Sequence, residues 1–164
     1  MNEPSTQPAR TEQRTEPARI VAHPADPYLR NLWYLASPGR DLKPGATIGL
    51  TILGEPVLIG RTKAGVPFAF RDLCPHRGIQ LSAGRIENDK VVCPFHGWQF
   101  NPDGICAHIP SLVADQDVDL AKIRVRRYPV REQQGNIWIF MGTTEDDPAT
   151  QPFTIPDLGE RTPD

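Results

Sequence analysis

Cys74-Pro75-His76-Arg77-Gly78 and Cys93-Pro94-Phe95-His96-Gly97-Trp98 are the two stretches on which the reading of this 164-residue chain turns. Each supplies one thiol and one imidazole, and sixteen residues lie between His76 and Cys93. Both stretches open Cys-Pro, so Pro75 and Pro94 fix φ beside a candidate ligand and remove a backbone donor there. Gly78 and Gly97 stand close behind the histidines, where glycine lets the backbone turn tightly and aim N–H groups at sulfur.

Two metal centres suit such a set. Four Cys and His donors can hold tetrahedral Zn²⁺. Zinc fingers, however, usually pair Cys with Cys and His with His along the chain, whereas each stretch here mixes one of each. Mixed loops approaching from opposite sides suit a [2Fe–2S] cluster, with both thiolates on one iron and both imidazoles on the other. A structural zinc module stays as the remote alternative. The third cysteine, Cys106, makes an odd count, which argues against a disulfide framework and for metal chemistry.

Around these stretches the pattern is β. Proline is 18 of 164 residues, roughly double the ~5 % usual in proteins, and 13 glycines add to it. Both disfavour long helices. Hairpins are expected for 46–53 with 56–61 across Gly54, and for 122–132 with 136–141. A strand is expected for 67–73, and two short strands flanking Asn88-Asp89. Leu32-Trp33-Tyr34-Leu35 could end a helical turn opened by Asp26-Pro27 or start a strand. Only 112–120 has any claim to be helical, without a convincing apolar face. Short strands with a turn every 8–12 residues point to a small sandwich or barrel. Residues 1–27 are expected to be a disordered arm, since they bury too little apolar surface to offset ordering entropy. Residues 143–164 form an acidic, proline-rich tail of similar composition, whose Phe153, Ile155 and Leu158 could dock.

Charge follows the same division. The net charge is −2, which predicts no nucleic-acid partner. The body, 28–142, carries 14 Lys/Arg against 10 Asp/Glu, while both tails are acidic. No apolar run approaches the ~20 residues a membrane helix needs, so no membrane partner is expected. The N-terminus lacks a signal pattern, and the chain is expected to be cytoplasmic.

Cys-X-His, sixteen residues, Cys-X-X-His resembles the Rieske iron–sulfur motif. The likeness runs from about 28 to 142 through Trp33-Tyr34, Leu42-Lys43-Pro44-Gly45, Leu53-Gly54-Glu55-Pro56-Val57, Leu81-Ser82-Ala83-Gly84, Gly104 and Ile109-Pro110. These segments look like the N-terminal half of Rieske non-haem iron oxygenases, which hydroxylate aromatic rings or remove O-methyl groups. The resemblance implies an all-β Rieske fold, with antiparallel sheets and a cluster-binding subdomain at one end. It implies a [2Fe–2S] cofactor with Cys74 and Cys93 on the inner iron and His76 and His96 on the outer one. Respiratory Rieske proteins carry a disulfide across the two loops, where Ile79 and Phe95 stand here. They also carry Ser and Tyr hydroxyls to the cluster sulfurs, where Trp98 and Phe100 stand. Fewer donors to sulfur predict a potential at the low end of the Rieske range, about −150 to +300 mV.

The resembling oxygenases also need a mononuclear iron held by two histidines and a carboxylate. Four histidines are present, and the cluster would leave only His23, in the arm, and His108. The resemblance therefore implies an electron-relay half, with no catalytic residue of its own. A reductase or ferredoxin would be the donor, a catalytic oxygenase iron domain the acceptor, and a homo-oligomer possible. The alternative is a standalone carrier like a Rieske ferredoxin.

Plainer readings stand beside these. Cys106 reads as a core cysteine with His108 as a surface neighbour. Arg77 could dock a partner or form a structural ion pair. Trp98 could shield the cluster or simply pack. Arg124, Arg126, Arg127 and Arg131 could dock an acidic partner, but read better as charge protecting an edge strand. Trp33-Tyr34 and Trp138 read as core.

Overall fold

The computed structural model describes residues 27–113, 115–156 and 158–159. Among them there is no α-helix, and ten strands form three antiparallel sheets. The first sheet has the order β1 (Trp33–Pro38), β10 (Asn136–Phe140), β9 (Val130–Gln133). The second is β2 (Thr47–Ile52), β3 (Glu55–Arg61), β4 (Pro67–Arg71). The third is β5 (Arg85–Glu87), β6 (Lys90–Val92), β7 (Gln99–Phe100), β8 (Cys106–His108). The all-β, antiparallel expectation is met. The 1–26 part of the arm lies outside the described residues, as does the Asp26 cap.

Turn chemistry sets the registers. Three hairpins close on two residues that both have positive φ: Leu53-Gly54 (50° and 72°), Asn88-Asp89 (49° and 61°) and Gln134-Gly135 (52° and 69°). That geometry matches the right-handed twist of the flanking strands. Leu53 bears the strain of a left-handed backbone while its side chain packs on buried apolar residues.

The middle sheet is a wall between two cores. Val57 and Ile59 of β3 and Ala69 of β4 face a cluster with Leu42, Tyr128, Ile137, Ile139 and Met141. Leu58, Phe68 and Phe70 face the other way, onto Leu81, Val91, Phe100 and all three cysteines. Successive side chains of a strand point to opposite faces, so a strand covered on both sides reads as the unbroken run Val57-Leu58-Ile59. The candidate thiols thus belong to one core, and the first sheet to the other.

Arg61 joins the middle sheet to the first. It is buried, and its guanidinium forks onto Glu132 of β9 at 2.8 and 3.1 Å. It also donates to the carbonyls of Leu42, Gly65 and Gly39. Glu55 is a second hub, accepting from Arg30 and from the Tyr128 hydroxyl, both at 2.5 Å, with Arg126 at 3.8 Å. Burial pushes its carboxyl up, but the Tyr128 and Arg30 hydrogen bonds and the two cations outweigh that and hold it below 4.5. Burial and the same carboxylate push Tyr128 up.

Two local expectations are corrected. The described residues of 112–120 form no α-helix; Leu120–Lys122 takes a 3-10 turn, capped by the Asp119 side chain at Ala121 N–H. Leu112, Leu120 and Ile123 instead pin this stretch to the cluster-side core. The strand expected from 122 begins only at Val130. Before it the chain makes single bridges, Ile105 with Arg124 and Phe70 with Arg127, as it crosses from the third sheet to the second.

Beyond residue 142 the chain lies back along the first sheet. Trp33 donates its indole N–H to the Thr150 carbonyl at 3.0 Å. Ile155 exchanges two hydrogen bonds with the Gln134 side-chain amide, at 2.8 and 3.0 Å. Ile155 and Leu158 are half-buried and Phe153 is exposed.

Candidate metal centre

The two ligand loops share one backbone frame. Cys74 N–H donates to Ile79 C=O, and Gly78 N–H returns to Cys74 C=O, both at 2.8 Å. Cys93 N–H donates to Trp98 C=O at 2.8 Å, and Gly97 N–H returns to Cys93 C=O at 3.1 Å. Gly78 and Gly97 both sit at positive φ, 68° and 71°, where glycine carries no Cβ penalty. Their N–H groups therefore meet carbonyls, not the sulfurs expected from the sequence.

Inside that frame the four side chains fall into two sets. The Nδ1 atoms of His76 and His96 lie 3.1 Å apart. The Cys74 and Cys93 thiols are both buried, in the same core. Among the described residues no three His, Cys, Asp or Glu side chains close on one ion position. Two nitrogens about 2.0–2.1 Å from one tetrahedral metal would sit about 3.3 Å from each other, close to the separation found. The histidine pair thus fits one iron of a [2Fe–2S] cluster, and two buried cysteines are the donors the other iron takes.

Exposure grades across the site. The thiols are buried in the cluster-side core, whereas His76 and His96 are exposed. Burial first, then the facing Cys93, pushes the Cys74 thiol up to about 11. Lost hydration, then the His96 and Arg77 charges, hold His76 below the ordinary histidine value, which favours the neutral ring a metal requires. The Trp98 indole stacks on the His76 ring, planes 2° apart and centroids 4.7 Å apart. Phe95 leans on His96 at 4.0 Å and 42°.

Supporting residues hold the loops. Asp72 is buried at the entrance to the first loop and accepts from Ser82 N–H and from the Ser82 hydroxyl, at 2.7 and 2.5 Å. This clamp closes the base of residues 72–82. A lone Asp-Leu before a cysteine gives no signal of it in sequence. Arg77 is exposed and makes no ion pair among the described residues. Cys106 is buried in the same core as Cys74 and Cys93, and His108 is exposed on β8. His23 lies outside the described residues. Three of the four arginines expected as a basic stretch meet acids: Arg124 with Glu145, Arg126 with Glu55, and Arg131 with Asp147. Only Arg131 lies on a named strand, β9, which is an edge. Trp138 is buried, while Trp33 and Tyr34 are half-buried.

Residues 32–129 match the Rieske [2Fe-2S] domain family. The chain belongs to that family. Its cofactor is a Rieske-type [2Fe–2S] cluster. The chain is 37 % identical over 116 residues to the oxygenase subunit of 3-chlorobenzoate-3,4-dioxygenase from Comamonas testosteroni, covering 70 % of this chain. It spans 27 % of that relative's length. Apo dicamba monooxygenase superposes with a TM-score of 0.66 at 39 % identity, covering 79 % of this chain and 38 % of that one. The oxygenase in the reduced oxygenase–ferredoxin complex of carbazole 1,9a-dioxygenase gives 0.64 at 29 % identity, covering 73 % and 30 %. The shared part is thus the Rieske portion of larger oxygenase chains. No helix among the described residues is long and apolar enough to cross a membrane.

Proposed function

We propose that Cys74, His76, Cys93 and His96 hold the cluster, and that residues 28–142 relay electrons to a mononuclear iron site outside this sequence. The convergence of the two Nδ1 atoms at 3.1 Å carries this reading. Bound there, the cluster supplies reversible one-electron storage. The buried thiols keep the inner iron in the core, away from water. The histidines take the outer iron through Nδ1, which leaves Nε2 on the far side of each exposed ring as the electron exit.

The surface around that exit suits a protein acceptor. Ile79 and Phe95 are exposed apolar side chains, at 36 % and 58 %. Arg77 adds a cation, and neither loop contains Asp or Glu. Such a tip favours an acceptor that presents apolar surface and carboxylate, as the catalytic iron domain of an oxygenase would. A reductase or ferredoxin donor fits the same reading, in line with the carbazole dioxygenase complex. Where hydroxyl donors would raise the potential, Trp98 and a fully buried Phe100 stand, which keeps it at the low end of the Rieske range.

The test is anaerobic reconstitution with iron and sulfide, then EPR of the reduced protein. Two irons per chain and a rhombic Rieske signal are expected. Ligand exchange in His96→Cys should lower the potential toward the all-cysteine range near about −400 mV. No rhombic signal, or a His96→Cys potential equal to wild type, overturns the assignment.

A further inference from the structure

The two imidazoles are not braced alike. Trp98 belongs to the second loop, where its carbonyl accepts from Cys93 N–H and its side chain packs on the cluster-side core. Its indole face lies parallel to His76, which belongs to the first loop. Among the described residues His96 meets, besides the His76 ring itself at 4.8 Å and 51°, its tilted sequence neighbour Phe95, which is itself exposed. Among the described residues the His76 side chain makes no hydrogen bond beyond its Nδ1 approach to His96.

We infer that Trp98 is a positioning residue, whose indole face holds the His76 ring in the plane that points its Nδ1 at the His96 Nδ1. This rests on His76 being a cluster ligand. The torsion that turns an imidazole about Cβ–Cγ is broad and roughly two-fold, so no narrow well sets the ring plane. A flat wall at stacking distance does set it, because rotation drives the ring edge into the indole. The wall is fixed by the core and by the opposite loop, so it also ties the two loops together across the cluster. A side chain that merely filled the same space would exclude water without fixing a plane.

Reconstituted wild type, Trp98→Ala, Trp98→Phe and Trp98→Leu separate these roles. Redox titration and EPR at fixed pH are the readouts, with iron content as the folding control. Trp98→Ala should shift the reduced-to-oxidised ratio at fixed poise at least threefold, about 28 mV at 59 mV per decade, with altered g values. Trp98→Phe keeps a ring face and should restore most of the wild-type signal; Trp98→Leu should not. Should the alanine variant fail to load two irons, the Phe and Leu variants decide. Restoration by Leu as full as by Phe, or wild-type potential and g values in Trp98→Ala, overturns the inference. Failure of the ligand assignment is distinct, since it removes the rhombic signal from wild type itself.

Discussion

Replacing Arg61 with Met should cost about 3–5 kcal/mol, the usual penalty for breaking a buried ion pair by removing one partner. The side chain makes five hydrogen bonds, two to Glu132 and one each to the carbonyls of Leu42, Gly65 and Gly39. Methionine matches much of the stem volume, so little of the cost is packing. What remains is a carboxylate without its cation and carbonyls deprived of a donor. Glu132 is 24 % exposed at its side chain, so water partly reaches it and the lower half of the range applies. A chain of this size loses about 2–4 °C of Tm per kcal/mol, so a fall of roughly 6–15 °C is expected by calorimetry. Arg61→Met with Glu132→Leu should recover part of that loss, because an apolar pair leaves no stranded charge. The cluster potential should not move, since the pair lies on the other side of the middle sheet. A loss below about 1 kcal/mol for the single variant would refute the assignment of Arg61 as the tie between the sheets.

Gly78 and Gly97 offer a graded comparison. Alanine at either must take a left-handed backbone, at about 1–2 kcal/mol. A Cβ at Gly78 meets nothing within 4 Å, whereas at Gly97 it lies 3.1 Å from Pro110 Cγ. Gly97→Ala should therefore lower the urea midpoint more than Gly78→Ala; equal losses would show that Pro110 yields freely. Glu55 should make stability pH-dependent. Its folded value is lowered, so its contribution is present above the ordinary 4.5 and fades as pH falls through the lowered value. The gap in urea midpoint between wild type and Glu55→Gln should be widest near pH 7 and shrink by pH 3; a constant gap contradicts the charged role.

The legible part of this protein was the local part. Gly54, which has no Cβ, and the short polar pair Asn88-Asp89 favour positive φ by residue type, so the hairpins follow from the sequence. The Rieske motif is legible because its spacing and flanking residues are themselves local. What escaped was set by distant partners. Residues 122–129 look like a strand, but their bridges go one at a time to Ile105 and Phe70. Gly78 and Gly97 read as turn glycines and sit at positive φ, yet the acceptors of their N–H groups depend on how each loop closes. The Arg61–Glu132 fork spans 71 residues, and no periodicity announces it. The acidic tail and the basic stretch were both visible as compositions. That Glu145 and Asp147 would meet Arg124 and Arg131 required the chain to return along the first sheet.

The middle sheet makes β3 an address system with two recipients. Odd and even positions of one strand report to different halves of the molecule, so neighbouring substitutions need not share a phenotype. Trimming Leu58 opens space beneath the cysteines and should be read out in the cluster. Trimming Ile59, one residue on, should be read out only in melting. A wall inherited in one piece can thus let redox tuning and thermal robustness drift independently, one residue apart.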